Sequence, residues 1–196
     1  MICFFPELYE DELAYSWFAR YHVLAGSMTY SITAELLFGK KNTVPNTEFF
    51  PPLSLETVRQ IQKRLSLEDF AEKHTMLPYY TRFLPLERRK KALDLLVCMN
   101  KSYVDQIYVR SEKTYWKKYM RYCPLCASRD REQYGETYWH RQHQIAEVEI
   151  CPVHRCRLKD SSVESICNRQ RFQLVAAEIA VPYEKKVNFS VTEQEC

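Results

Sequence analysis

The chain has 196 residues, 46% hydrophobic and 14% aromatic, with a net charge of +3; this supports one sizeable core or two small ones and excludes a disordered chain. Only three glycines disfavour a loop-rich all-β fold, and charges recur too often for the roughly 18 apolar residues of a membrane span. Glu7, Glu10, Asp11 and Glu12 stand where a signal peptide would carry bases, so the eight cysteines read as reduced thiols of a soluble, cytoplasmic protein, with Cys3, Cys98 and Cys196 free.

Residues 11–25 predict an amphipathic helix with Leu13, Ala14, Trp17, Phe18, Tyr21 and Leu24 inward and Glu12, Ser16 and Arg20 outward. Gly26 and Ser27 end it, and a second helix over 29–38 turns Ile32, Leu36 and Leu37 inward before Gly39. Two helices joined by a tight Gly-containing turn have the proportions of a helix-turn-helix unit, a pattern that helical proteins without nucleic acid also contain. Residues 42–53 form a linker, marked by Pro45, Pro51 and Pro52. Leu55, Val58, Ile61 and Leu65 then line one helix, Ser66 with Asp69 caps another, and Pro78 closes that one. Pro85 opens a helix to about residue 99, with Leu86, Leu93, Leu96 and Val97 inward.

Charge is uneven along the chain. Residues 1–80 carry −3, residues 81–131 carry +8 and residues 132–196 carry −2. In the basic belt, Arg88, Arg89, Lys90 and Lys91 crowd the first turns of a helix, where cations oppose its dipole. Lys117, Lys118 and Arg121 interleave with Tyr115, Trp116 and Tyr119. Aromatic rings among cations suit a DNA surface, because rings pack on sugars or bases while cations neutralise phosphate. They equally suit a solvated face or the core of a small metal module.

The strongest chemical statement is Cys123-Pro-Leu-Cys126 followed by Cys151-Pro-Val-His154. Two residues between ligands let one turn present both side chains to one ion, and the second pair closes a loop around it. Cys123, Cys126, Cys151 and His154 would fill a tetrahedral Zn²⁺ site and leave no position for water, so the metal is expected to hold the fold and not to perform hydrolysis. His140 and His143 lie between the pairs but are not needed as ligands, and Cys156 and Cys167 lack a partner at chelating spacing. A zinc deaminase is disfavoured, because no His-x-Glu precedes the cysteine pair. A short helix is expected over 172–180. The reading is mainly α: a helical domain over 1–110 with the helix-turn-helix-like segment, a Cys3His zinc module over 111–182, and a polar tail over 183–196.

With these residues in view the chain resembles the TniQ/TnsD family of bacterial transposon target-site selectors over about residues 4–180. The resemblance is carried by Phe5-Pro-Glu-Leu-Tyr-Glu-Asp-Glu-Leu13 with Ser16, Trp17 and Arg20, by the run from Arg121 to Cys126, by the run from Tyr134 to Arg141, and by Cys151-Pro-Val-His154 with Leu158. Glu147 departs from the Gly of many members, and a second zinc knuckle is not recognisable. TnsD-type members continue into a long DNA-reading region, so this chain is either a short TniQ-type adaptor or the N-terminal part of a longer selector. The resemblance implies an adaptor that binds double-stranded DNA and recruits the AAA+ ATPase regulator TnsC, guided in some relatives by a CRISPR effector complex. Phe4, Phe5, Tyr9 and Tyr30, in an aromatic-rich N-terminal segment, are the expected docking residues. A zinc-containing transcription regulator is the competing reading.

Overall fold

A computed structural model describes residues 4–27, 29–107, 117–165 and 174–183. Among the described residues seven helices come first: α1 Ala14–Leu24, α2 Tyr30–Phe38, α3 Leu55–Gln62, α4 Leu67–His74, α5 Leu77–Thr81, α6 Leu86–Val97 and α7 Tyr103–Ile107. Strand β1 Tyr119–Tyr122, helix α8 Pro124–Tyr134, a 3-10 turn Gln142–Gln144, strand β2 Lys159–Glu164 and helix α9 Ala177–Ala180 follow. The two strands pair antiparallel, with Arg121 opposite Asp160 and Tyr122 opposite Lys159, and an irregularity lies between Tyr119 and Arg121. The expectation of a mainly helical chain holds, with this ribbon added. Lys113, Tyr115 and Trp116 of the aromatic-basic run, Cys3, Cys167 and the tail over 184–196 lie outside the described residues.

Local chemistry sets several helix ends. Ser54 Oγ accepts from Thr57 N–H to start α3, and Ser66 Oγ accepts from Asp69 N–H to start α4. Gly39 ends α2 at φ 71°, a conformation that a side chain disfavours. Pro78 does not close α4 as its position suggests. It sits in the first turn of α5, where its missing N–H is harmless, and α4 instead ends at Thr75, whose hydroxyl donates to the Ala71 carbonyl.

The buried cluster runs from Phe5, Leu13, Trp17 and Phe18 through Leu37, Phe50, Ile61, Phe70 and Leu96 to Met120, Trp139 and Ala177. Trp17 is central: its ring centroid lies 4.1 Å from Phe5 and 5.6 Å from Phe70, and its Nε1 donates to the Pro6 carbonyl at 2.8 Å. Periodicity misplaces some helix-end residues, because Leu24, Ile32, Leu55 and Leu86 point to solvent where the turns leave the core.

The larger departure lies on the polar face of α1. Glu12, Ser16 and Arg20, expected outside, are 0%, 0% and 2% exposed. Segment 136–142 covers this face: Leu13 N–H donates to Trp139 O at 3.0 Å, Arg141 N–H to Asp11 O at 2.7 Å, and Trp139 N–H to Ser16 Oγ at 3.0 Å. Arg20 spans two acids, with Nη1 at 2.9 Å from Glu12 and Nη2 at 2.8 Å from Glu136, and donates a third bond to Glu7 O. The outward stripe of α1 is thus an inner surface satisfied by ion pairs.

Candidate metal centre

The centre is assembled from two turns. Strand β1 runs into Cys123, which caps α8: its Sγ accepts from Cys126 N–H at 3.4 Å, and Pro124 takes the first helical position. This turn aims both sulfurs at one point. In the second turn His154 N–H reaches Cys151 Sγ at 3.4 Å, Arg155 N–H reaches Cys151 O at 2.9 Å, and Arg155 adopts φ 54° to bend the chain back. Cys151 N–H then donates to Cys156 O at 2.8 Å, and Ile150 bridges to Arg157.

The four ligand atoms of Cys123, Cys126, Cys151 and His154 lie within 4.8 Å of one another. Sγ of Cys126 and Cys151 are 3.7 Å apart, and His154 Nδ1 is 3.6, 3.2 and 3.8 Å from the sulfurs of Cys123, Cys126 and Cys151. Bond lengths of about 2.0–2.3 Å to a tetrahedral zinc require donor separations of about 3.3–3.8 Å, so the donor set and these four separations fit. The three sulfurs are buried and His154 is half-buried. Hydrogen bonding with Cys126 and burial together hold the Cys123 thiol well above its usual range, and burial raises that of Cys151. Burial lowers His154, which keeps its imidazole neutral and available as a ligand. Thiols that resist ionisation without a cation are what a metal ion would convert to thiolates.

Around the ligands Asp130 is fully buried and accepts from Thr137 Oγ1 at 3.2 Å and from His140 Nε2 at 2.7 Å. His140 is thereby turned toward Asp130. His143 is buried with Nε2 at 3.8 Å from Cys126 Sγ, and burial followed by neighbouring positive charge pulls its pKa down to about 3. Neither histidine joins the four-ligand cluster. Cys156, which its spacing leaves without a role, is half-buried with its Sγ 3.3 Å from Cys123 Sγ; burial pushes its thiol up to about 12.

The basic residues fall on two elements. On α6, Arg88 donates to the Asp105 carbonyl and Arg89 lies 3.7 Å from Glu72. Lys90 and Lys91 are exposed, with Glu87 and Asp94 at three- and four-residue spacing on the same face. Lys117 is 3.5 Å from Glu149, and Lys118 sits over the Tyr119 ring. Arg121 is not on the surface where the basic belt predicts it. Its side chain is buried, with Nη1 donating to Val148 O and Nη2 to Ile145 O, so it fastens the loop leading to Cys151 and cannot meet a phosphate.

The expected docking residues also separate. Phe4 is 60% exposed, whereas Phe5 is buried against Trp17 and Tyr21. Tyr9 stacks on Tyr134 at 4.2 Å under the Arg20 guanidinium, and Tyr30 donates to the Thr43 carbonyl. Phe5 therefore serves the core. Sequence reasoning missed Asp130 and the Glu12–Arg20–Glu136 network, whose members are far apart in the chain; the acids of the runs 5–13 and 134–141, together with Arg20, were the available signal.

The chain is 27% identical over 153 residues to the Transposon Tn7 transposition protein TnsD of Escherichia coli, an alignment covering 76% of this chain and 30% of that protein. It thus spans under a third of the length of that relative. The TniQ family model matches residues 3–158, a stretch that includes α1 through α8 and all four clustered ligands. By that match the chain belongs to the TniQ family.

Proposed function

We propose that this chain is a target-site adaptor of a TnsABC-type transposon, which binds double-stranded DNA and recruits a TnsC-like AAA+ ATPase to direct insertion. The supporting observation is the TniQ match over residues 3–158, a stretch that contains all four residues of the Cys3His cluster. In this reading the adaptor performs no bond chemistry. Cys123, Cys126, Cys151 and His154 would hold a Zn²⁺ ion, which would tie the two ligand turns together, while the protein's own residues hold α8, the β1–β2 ribbon and the core in register.

DNA is assigned to Arg88, Arg89, Lys90 and Lys91 of α6 and to Lys117 and Lys118 just ahead of β1, which lie along the sequence segment of highest positive charge. The helix pair α1–α2 supports a helix-turn-helix role less well, because α2 contains no Lys or Arg and exposes Glu35. The ATPase is assigned to the N-terminal segment that carries exposed Phe4 and half-buried Tyr9 and Tyr30. A CRISPR effector complex is a further partner in guided relatives of the family.

The test is capture of a TnsC-like ATPase on duplex DNA in the presence of ATP. The intact chain should retain the ATPase, and Phe4→Ala should weaken retention. Duplex binding with no capture of any such ATPase would favour the transcription-regulator reading.

A further inference from the structure

The segment between α2 and α3 joins the end of α6 and the start of α7 around a cleft of about 560 Å³, a size that takes a short peptide segment. Buried Phe38, Phe50, Leu96 and Tyr103 meet half-buried Met99 and Val104 in its lining, and no Asp or Glu lines it. Two exposed cations do: Lys40, from the turn after α2, and Lys101, from the turn between α6 and α7. Lys41 is drawn to Glu35 at 3.7 Å, whereas Lys40 and Lys101 join no ion pair among the described residues. The walls are fixed in advance. Tyr30 Oη donates to Thr43 O at 2.5 Å, Thr43 N–H to Lys40 O at 3.3 Å, and Ser102 N–H to Asn100 Oδ1 at 3.0 Å. Met99 stands at φ 58°, a conformation costly for a bulky side chain, and its Sδ accepts from Leu53 N–H at 3.2 Å, which clamps the 42–53 segment to the end of α6. Strain of this kind persists only where its surroundings over-determine it, and it gathers at ligand clamps.

We propose that this cleft docks a short peptide segment of a partner protein, made of an apolar anchor with acidic residues on either side. The anchor enters the apolar lining, and the flanking carboxylates meet Lys40 and Lys101 at the rim. Glu48, whose charge acts on Tyr103, is not in the lining and accepts from Tyr80 Oη at 2.5 Å. A peptide suits the cleft better than a nucleic-acid strand does. Phe38, Phe50 and Tyr103 are 5%, 3% and 8% exposed, too little for a base to stack on, and two isolated cations do not track a phosphate backbone. None of the lining residues carries the metal, DNA or ATPase assignment, so this site stands or falls apart from them. Because both walls are tied in place before docking, little ordering is left to oppose binding.

The experiment selects peptides from a displayed random library on the full chain, then measures a synthetic copy of the enriched sequence by fluorescence anisotropy. The expected sequences carry an apolar residue with Asp or Glu before and after it. Lys40→Glu combined with Lys101→Glu, two exposed positions that leave the core untouched, should weaken the synthetic peptide at least about tenfold through like-charge repulsion. A copy with Lys in place of its acids should regain binding to that double variant. Val104→Trp, which fills the cleft, should also abolish binding, with its urea midpoint checked against wild type; should it misfold, the charge swap still decides. Enriched peptides without acids, no enrichment at all, or equal binding by wild type and the double lysine variant would overturn the proposal. So would retention of a labelled oligothymidine that the double variant loses while no peptide is enriched, since the cleft would then belong to nucleic acid.

Discussion

Replacing Arg20 by Met keeps the apolar stem and deletes a guanidinium that serves two carboxylates and a carbonyl. Glu12 feels this change most, since it is 0% accessible and receives Arg20 Nη1 at 3.1 and 2.9 Å. Its remaining donors are Tyr9 N–H at 3.1 Å and Ser16 Oγ at 2.9 Å, and both are neutral. Removing one partner of a buried pair typically costs about 3–5 kcal/mol, a large part of the about 5–15 kcal/mol that holds a domain together. Glu136 adds little, because it is partly solvated. The loss must also depend on pH. Burial, which outweighs Arg20, already pushes Glu12 from 4.5 up to about 7. The folded chain therefore holds this proton more tightly than the unfolded one, so the carboxyl favours folding below about pH 4.5 and loses that benefit as pH rises through about 7. Without Arg20 the folded-state value rises further, and the gap between variant and wild type should widen above pH 7. Urea unfolding of both zinc-saturated proteins at pH 6 and pH 8.5 measures this, and taking the difference at each pH cancels the response of the metal ligands. A loss under about 1 kcal/mol, or one that does not grow with pH, would refute the account of Arg20 as the counter-ion of a buried carboxylate. Adding Glu12→Leu should restore much of the loss, because the uncompensated group is then gone.

The wild-type chain should carry one zinc, and Cys151→Ala should lower the zinc content by metal analysis and bring the urea midpoint to that of chelator-treated wild type; an unchanged midpoint would count against a structural metal. Charge reversal at Lys90, Lys91, Lys117 and Lys118 should weaken duplex binding and reduce the slope of log K against log salt by about one for each phosphate left without its cation. Arg121→Ala should leave that slope intact but lower stability and zinc retention, since its guanidinium fastens the 145–148 loop ahead of Cys151.

The metal cluster was legible because ligand spacing is a local property: Cys-x-x-Cys and Cys-x-x-His encode their own turns, and the structure brings the two pairs together as their spacing implies. The caps at Ser66 and Gly39 and the apolar side of α1 were legible for the same reason. What escaped depends on partners distant in sequence. Arg20 reads as a surface residue on a helical wheel until Glu136, 116 positions away, covers it. Arg121 reads as part of a basic belt until the carbonyls of residues 145 and 148 enclose it. Periodicity reports which face is apolar, but not whether the polar face opposite meets water or a second layer of chain.

The stitching of residues 11–16 to residues 139–142 sets a timetable for synthesis. Leu13, Ser16 and Asp11 cannot complete their bonds until Trp139 and Arg141 have been made. At about 5–20 residues per second that interval is on the order of ten seconds, during which Phe5, Trp17 and Phe18 must shelter among the helices already made or meet chaperones. The acids and Arg20 on the other face of α1 keep that waiting surface hydrated. A network that reads in the finished fold as an internal ion cluster acts on the ribosome as a solubilising edge, and it closes only when the segment between the two metal turns arrives.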